Sequence, residues 1–384
     1  MSRVLSCQPL LPRPESVAAE LARAPAGPLI LVSRSGVLAN LARVRSALPS
    51  VSVHYALKAC NHPQVLSALA QADCGFELAS AGEWPALAAL DIDPARAVVG
   101  NPVRSAMQTA ALYAAGVRCF AIDSLQQLDR DRVAAPDARL LVRVAVPPGC
   151  LADADVAAWP MGDTFGASPD TVAQISHKAR ATGQLLAGVS FHVGSQCTDM
   201  AAWQRGLNAA VSALTTLRAE GHAADVLSLG GGFPAEIGAA PSIEAIGESL
   251  RPALAALPVG ARLLAEPGRC LIANAGVLLT RVLAVREHRG ARWLHLDCGV
   301  HNGLIESSRG VPYALRALRG SGTRVAWQVA GPSCDGADRL PGEWLLPAAI
   351  VEGDWLAVDG AAAYAQSRAS GFNGFALPET RVVN

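Results

Sequence analysis

The chain predicts a (β/α)8 TIM-like barrel followed by a β-rich domain of sandwich or barrel type, on three observations. Between Val51 and Ala265, eight short apolar runs alternate with helical stretches, the pattern of a closed parallel sheet wrapped by helices. After Arg269 the texture changes to apolar runs broken by Gly, Pro and Asp turns, with little helical spacing. At 384 residues, 51% of them apolar and 17% charged, the chain has core enough for two domains and is too apolar for disorder.

In order, Leu29–Ser33 is a strand that precedes the eight and is assigned to the second domain. The barrel strands are Val51–Leu57, Cys74–Ala79, Ala97–Gly100, Arg118–Ile122, Arg139–Val146, Leu186–Val193, Val226–Leu229 and Arg262–Ala265. Helical segments follow most of them, for example Pro63–Ala72, Ala81–Leu90, Ser105–Ala115, Pro169–Thr182 and Ala201–Glu220. The expected barrel domain is 34–275, with 1–33 and 276–384 forming the β-domain. In that domain Val277–Val285, Arg292–Asp297, Thr323–Val329, Gly342–Ala348 and Trp355–Val358 read as strands. The longest irregular piece, Pro147–Thr164 with Asp153 and Asp155, is a candidate lid.

The formal net charge is zero and no basic run is present, which argues against a nucleic-acid or acidic-membrane partner. No apolar stretch reaches the ~18–20 residues of a membrane span, and the N-terminus lacks a secretory pattern. Nine scattered cysteines without a CxxC pair point to reduced thiols in the cytoplasm and to no metal finger.

Catalysis in such barrels happens at the C-terminal strand ends, and the reactive residues fall there. Lys58 follows the first strand, Glu77 lies in the second and Arg143 late in the fifth. His192 ends the sixth, Gly230, Gly231 and Gly232 end the seventh, and Glu266 ends the eighth. Together they read as a pyridoxal 5'-phosphate (PLP) site. Lys58 is an amine for a Schiff base. The three glycines let backbone N–H groups approach a phosphate, and Arg269, after Gly268, adds a fixed charge. Glu266 can hold a pyridine nitrogen protonated, His192 can stack on a ring, and Arg143 can neutralise a phenolate. Cys334, in the turn-rich Gly331–Asp338 loop, is a thiol able to move a proton, and the Tyr364 hydroxyl can reach a phosphate.

The motifs YALKAC (Tyr55–Cys60), GFELAS (Gly75–Ser80), FHVGSQC (Phe191–Cys197), GGGFP (Gly230–Pro234), EPGR (Glu266–Arg269), GPSCDGADRL (Gly331–Leu340) and SGFNGF (Ser370–Phe375) carry a resemblance. As a set, over about Leu29–Phe375, they are similar to the fold-type III PLP-dependent amino-acid decarboxylases, the group of ornithine, lysine and diaminopimelate decarboxylases. The resemblance implies a PLP-dependent carboxy-lyase acting on L-ornithine or L-lysine in polyamine biosynthesis. It implies Lys58 as the Schiff-base lysine, His192 on the ring, Glu266 at the pyridine nitrogen and Arg143 at the ring oxygen. Ser195, Gly230–Gly232, Gly268, Arg269 and Tyr364 would hold the phosphate. It also implies a head-to-tail homodimer with shared sites, in which Cys334 of one subunit reprotonates the substrate in the other and Asp335 binds its distal ammonium. The segment around Glu306 departs from the eukaryotic ornithine enzymes, and Glu306 is assigned to the distal amine as well. A pathway-specific diamino acid or amino-acid conjugate, of siderophore or natural-product type, and meso-diaminopimelate stay open as substrates. A non-catalytic regulator is disfavoured because both Lys58 and Cys334 are present.

Overall fold

The computed structural model describes residues 11–148, 157–159, 164–257, 260–320 and 322–384. They divide into two units. One comprises Ala42–Pro234 and Ala240–Gly268; the other comprises the chain up to Leu41, Ala235–Ala239 and Arg269–Asn384.

The first unit is a closed barrel of eight parallel strands. They are Val51–Ala56, Gly75–Leu78, Ala97–Val99, Cys119–Ile122, Arg139–Arg143, Leu186–Ser190, Val226–Ser228 and Arg262–Ala265. Each of the eight sits inside or against an expected run. The ring closes where Leu263 pairs with Val51 and Val226 with Gly188. Side chains such as Tyr55, Phe76, Phe120, Leu140 and Leu227 are fully buried, so the barrel is a packed core.

The helices start where the sequence supplies caps. Ser105 closes a capping box with Gln108, and Ser168 and Ser242 accept from the backbone of their first turns. Pro63 and Pro169 occupy first-turn positions, where a missing N–H costs nothing. Helix Pro169–Ala181 buries Val172, Ile175, Ser176 and Ala179, an i, i+3, i+4, i+7 stripe. Helix Met200–Ala219 buries Trp203 and Gly206, and at Gly206 a Cβ would come within 2.5 Å of the Phe191 ring. That close approach seats the strand end that carries His192. Helices Leu125–Ala134 and Ile243–Ala255 complete the alternation.

The second unit is an eight-stranded sheet. Its spine is Gly276–His288, which pairs first with Leu29–Ser33 and Trp355–Asp359, then with Ala291–Leu296. Leu29–Ser33 is buried along its whole length, antiparallel to the spine and parallel to Glu379–Val383. It therefore belongs to this sheet. Val17, Leu29, Leu31, Val277, Leu279 and Ala357 form one apolar cluster there. Ala314–Ala317 and Glu379–Val383 are strands the sequence reading did not single out.

The division differs from the expected 34–275. Helix Arg34–Ala47 straddles it, because Asn40 donates to the Leu271 carbonyl at 3.1 Å inside the second unit. Ala235–Ala239 also belongs to the second unit, with Ile237 against Gly360. Most of the candidate lid, including Asp153 and Asp155, lies outside the described residues. Within it, Ala157–Trp159 pairs antiparallel with Ser195–Cys197. No helix of the described residues is long and apolar enough to cross a membrane.

Candidate active site

The barrel places its reactive groups on one rim. Lys58 stands in the 3-10 turn Leu57–Ala59 that follows the first strand, and its Nζ lies 2.5 Å from Glu77 Oε2. Glu77 comes from the neighbouring strand and is 2% exposed. Sequence reading placed Glu77 on the rim but gave it no role; its pairing with Lys58, from a different strand, was not legible.

Glu266 follows the eighth strand. Its Oε1 accepts from Ser228 Oγ at 2.6 Å, and the same Ser228 oxygen accepts from the Gly230 amide at 3.0 Å. One hydroxyl therefore ties the glycine turn to the carboxylate. Ser228 was missed; its only signal is its place two residues before the glycine triplet. Burial, followed by the Glu77 charge, pushes Glu266 up to about 6, against the pull of Ser228, Lys58 and Arg143. Glu83, whose carboxylate takes the Ala79 amide at 2.5 Å, is also raised, first by burial. Glu77, Glu83 and Glu266 thus lie within reach of the Lys58 charge, and Glu77, Asp123 and Glu266 within reach of Arg143.

His192 lies two residues past the sixth strand, and its Nδ1 accepts from the Gly194 amide at 2.9 Å. Burial, then Arg143 and Lys58, hold its pKa well below the ordinary value, so the ring is a neutral imidazole. A neutral flat ring suits stacking better than proton transfer. Arg143 ends the fifth strand, with Nη1 3.4 Å from the Gly100 carbonyl and its guanidinium 5.3 Å from the Phe165 ring centroid.

The glycine triplet is required by close packing. Gly230 has φ +63° and a Cβ there would lie 1.8 Å from the Phe191 carbonyl oxygen. At Gly232, φ +106°, it would lie 2.4 Å from the Gly194 oxygen. At Gly231 it would meet the Glu266 carbonyl oxygen at 2.9 Å and His192 Nε2 at 3.0 Å. The turn thus lies in contact with both His192 and Glu266. Ser195 begins the short strand Ser195–Cys197 that leaves the His192 loop.

These groups fit PLP on their own chemistry. A lysine stands beside a carboxylate able to take its proton. A side-chain-free turn can present N–H groups to phosphate. A buried carboxyl held above its usual range gains most from a cationic ring N–H beside it.

In the second unit, Arg269 opens the short helix Arg269–Ile272, directly after Gly268 in sequence. It is joined to Glu306 by two hydrogen bonds, at 2.5 and 2.6 Å, with both residues 2% exposed. Tyr313 donates to the same carboxylate at 3.2 Å, Arg368 approaches it at 3.7 Å, and the Tyr364 ring lies 4.7 Å from the Arg269 guanidinium. Glu306 was expected at the substrate's distal amine; the structure places it as the counter-ion of Arg269. A buried arginine needs such a carboxylate, so tertiary packing has claimed a group that composition left open.

Cys334 is exposed and adopts φ +55°, a left-handed conformation costly for a residue with a Cβ. The buried Asp338 carboxylate holds the loop in that shape by accepting from Val300 N at 2.6 Å, Ser333 Oγ at 2.6 Å and Ser333 N at 3.1 Å. Gly299 and Gly331 leave room for it: a Cβ at either would come within 2.4 Å of an Asp338 oxygen. Asp335, next to Cys334, accepts from the Ala337 amide at 3.0 Å and contacts His301 Nε2 at 2.9 Å. Asn373 reaches the Ser333 carbonyl at 2.9 Å, so the FNGF and CDGAD motifs meet.

Comparison with known proteins agrees with this chemistry. Residues 34–273 match the pyridoxal-binding domain of the pyridoxal-dependent decarboxylases. The chain is 30% identical to the lysine/ornithine decarboxylase of Selenomonas ruminantium over 359 residues, covering 92% of this chain and 88% of the relative. The structure of lysine/ornithine decarboxylase from Vibrio vulnificus complexed with cadaverine superposes with a TM-score of 0.88 at 26% identity, over 97% of this chain and 99% of that one. SrLDC in complex with PLP and cadaverine superposes with a TM-score of 0.85 at 29% identity, over 97% and 94%. With a family match over most of its length and a relative similar nearly throughout, the chain belongs to the pyridoxal-dependent decarboxylases.

Proposed function

We propose that this enzyme removes the α-carboxylate of L-lysine or L-ornithine and releases the diamine, as a cytoplasmic homodimer serving polyamine biosynthesis. The observation that carries the substrate class is Asp335: a carboxylate beside the exposed Cys334, on a loop pinned by Asp338, suited to pair with a distal ammonium. Relatives named lysine/ornithine decarboxylase and a fold shared with a cadaverine complex support it. The described cysteines are thiols, which suits a reducing compartment.

PLP, when bound, supplies an electrophilic aldehyde and a sink for the electron pair that CO2 leaves behind. This chain's residues do the rest. Lys58 would anchor the cofactor, and Glu77 at 2.5 Å is a base placed to take the proton its amine must lose. His192, a neutral imidazole, would stack on the cofactor ring. Glu266, oriented by Ser228, would keep the ring nitrogen protonated. Arg143 would neutralise the ring oxygen. Gly230–Gly232, Ser195 and Gly268 would hold the phosphate, and the resemblance adds Arg269, whose guanidinium Glu306 fixes, and Tyr364. After CO2 departs, Cys334 of the partner subunit gives its thiol proton to Cα, and the thiolate regains a proton from solvent.

The test is CO2 release from lysine, ornithine, arginine, diaminopimelate and diamino-acid conjugates, for the native enzyme and Asp335→Ala. Lysine or ornithine should lead, and the variant should lose about a hundredfold in kcat/KM for that substrate while keeping its cofactor. Turnover confined to substrates with an acidic or conjugated distal end would replace this reading.

A further inference from the structure

We infer that His301 is a specificity-determining positioning residue that aims the Asp335 carboxylate. The inference rests on the reading of Asp335 as the group that meets the substrate's distal ammonium. Two loops of the second unit meet at that carboxylate, and a third packs on the histidine that reaches it. Asp335 Oδ1 accepts from Ala337 N at 3.0 Å within its own turn. Oδ2 lies 2.9 Å from His301 Nε2, a residue 34 positions away. The His301 ring stands 4.9 Å from the Phe372 ring at an interplanar angle of 53°, and the His301 carbonyl accepts from Ser370 N at 2.9 Å. The turn supplies one hydrogen bond and so fixes the carboxylate at Oδ1 alone. The imidazole supplies the second point, at Oδ2, and Phe372 keeps the imidazole from turning away.

Each carboxylate oxygen has about two acceptor directions. With one taken on each oxygen by the protein's own donors, the remaining directions on both stay available to a ligand's N–H groups. The imidazole holds Oδ2 from one side only, so orientation is gained while the other acceptor directions of the carboxylate stay open to an ammonium. The selectivity of this site for a distal cation therefore depends on a histidine that need not touch the substrate. Nothing in local sequence announces the pairing: His301 sits in DCGVHNG and Asp335 in CDGAD, and only the fold brings them together.

The experiment compares the holoenzyme with His301→Ala, His301→Gln, Asp335→Ala and the His301→Ala/Asp335→Ala double variant. Two readouts are taken: kcat and KM for lysine, and inhibition by cadaverine against n-pentylamine, which lacks the distal amine. His301→Ala should raise KM for lysine and weaken cadaverine by about tenfold, with kcat and n-pentylamine inhibition changed less than about twofold. His301→Gln, whose amide N–H can still donate, should recover most of the loss. The double variant should be no weaker than Asp335→Ala alone, because the histidine acts through the aspartate. Equal loss toward cadaverine and n-pentylamine, or additive losses in the double variant, would overturn the inference and leave His301 a packing residue. Preserved discrimination in Asp335→Ala would instead overturn the reading of Asp335. Lost discrimination in Asp335→Ala with none in His301→Ala would overturn only the role of His301.

Discussion

Replacing Glu266 by glutamine should change how the stability of the cofactor-free protein depends on pH. The Glu266 carboxyl is held at about 6 against an ordinary 4.5, chiefly by burial and then by the Glu77 charge. That rise corresponds to about 2 kcal/mol of differential stabilisation of the protonated form. The sign follows from proton linkage. The folded state binds this proton more tightly than the unfolded chain, so the associated stability is fully present below the unfolded value near 4.5 and is lost as pH rises through 6. A glutamine side chain carries no such proton, yet it keeps an oxygen for the Ser228 hydroxyl. The stability of the native protein minus that of Glu266→Gln should therefore fall by about 2 kcal/mol between about pH 4.5 and 7.5. Urea midpoints for the two proteins at half-unit steps measure it, provided unfolding is reversible and two-state. With PLP bound, the trend should weaken, because an ionised carboxylate then gains a cationic neighbour. The same variant should lose at least about a hundredfold in rate, each tenfold being ~1.4 kcal/mol. A pH-independent stability difference would refute the argument from burial and Glu77. Near-native turnover would assign Glu266 to structure alone.

Inactive Lys58→Ala and inactive Cys334→Ala subunits, mixed and allowed to exchange, should regain activity up to roughly one intact site in four, since each site draws on both chains; no recovery after demonstrated exchange would place Cys334 in its own subunit's site. Gly231→Ala inserts a Cβ 2.9 Å from the Glu266 carbonyl oxygen and 3.0 Å from His192 Nε2. It should cost about 1–3 kcal/mol of stability and weaken PLP binding at least about tenfold, read by cofactor titration. A native dissociation constant would show that the turn yields without cost.

Much of the architecture is written in local pattern. The barrel strands are legible because each is a short apolar run bounded by a turn, and a parallel strand buried on both faces needs little else. The reactive residues then fall at strand ends, so Lys58, His192, Gly230–Gly232 and Glu266 share one rim on the strength of their positions along the chain. Helix Leu125–Ala134, LQQLDRDRVA, is hard to read because it is rich in polar residues and buries Gln127 and Asp131 beside Leu128, whereas Arg34–Ala47 does carry a buried i, i+4, i+7 stripe in Val37, Leu41 and Val44. Strands Ala314–Ala317 and Glu379–Val383 are hard to read because they are short and charged.

What the sequence did not determine was who pairs with whom. Glu306 carried a charge suited to a substrate amine, and the fold committed it to Arg269, 37 positions away. Ser228 looks like an ordinary strand residue until its hydroxyl is seen joining Gly230 to Glu266. His301, Phe372 and Asp335 lie in three separate motifs and meet only in the folded sheet domain. The alternation of apolar and polar residues, and the turns that interrupt it, are set by neighbours along the chain. The partner of a buried charge is set by distance in space, where desolvation makes an unpaired group costly and the nearest complementary group wins regardless of its place in sequence.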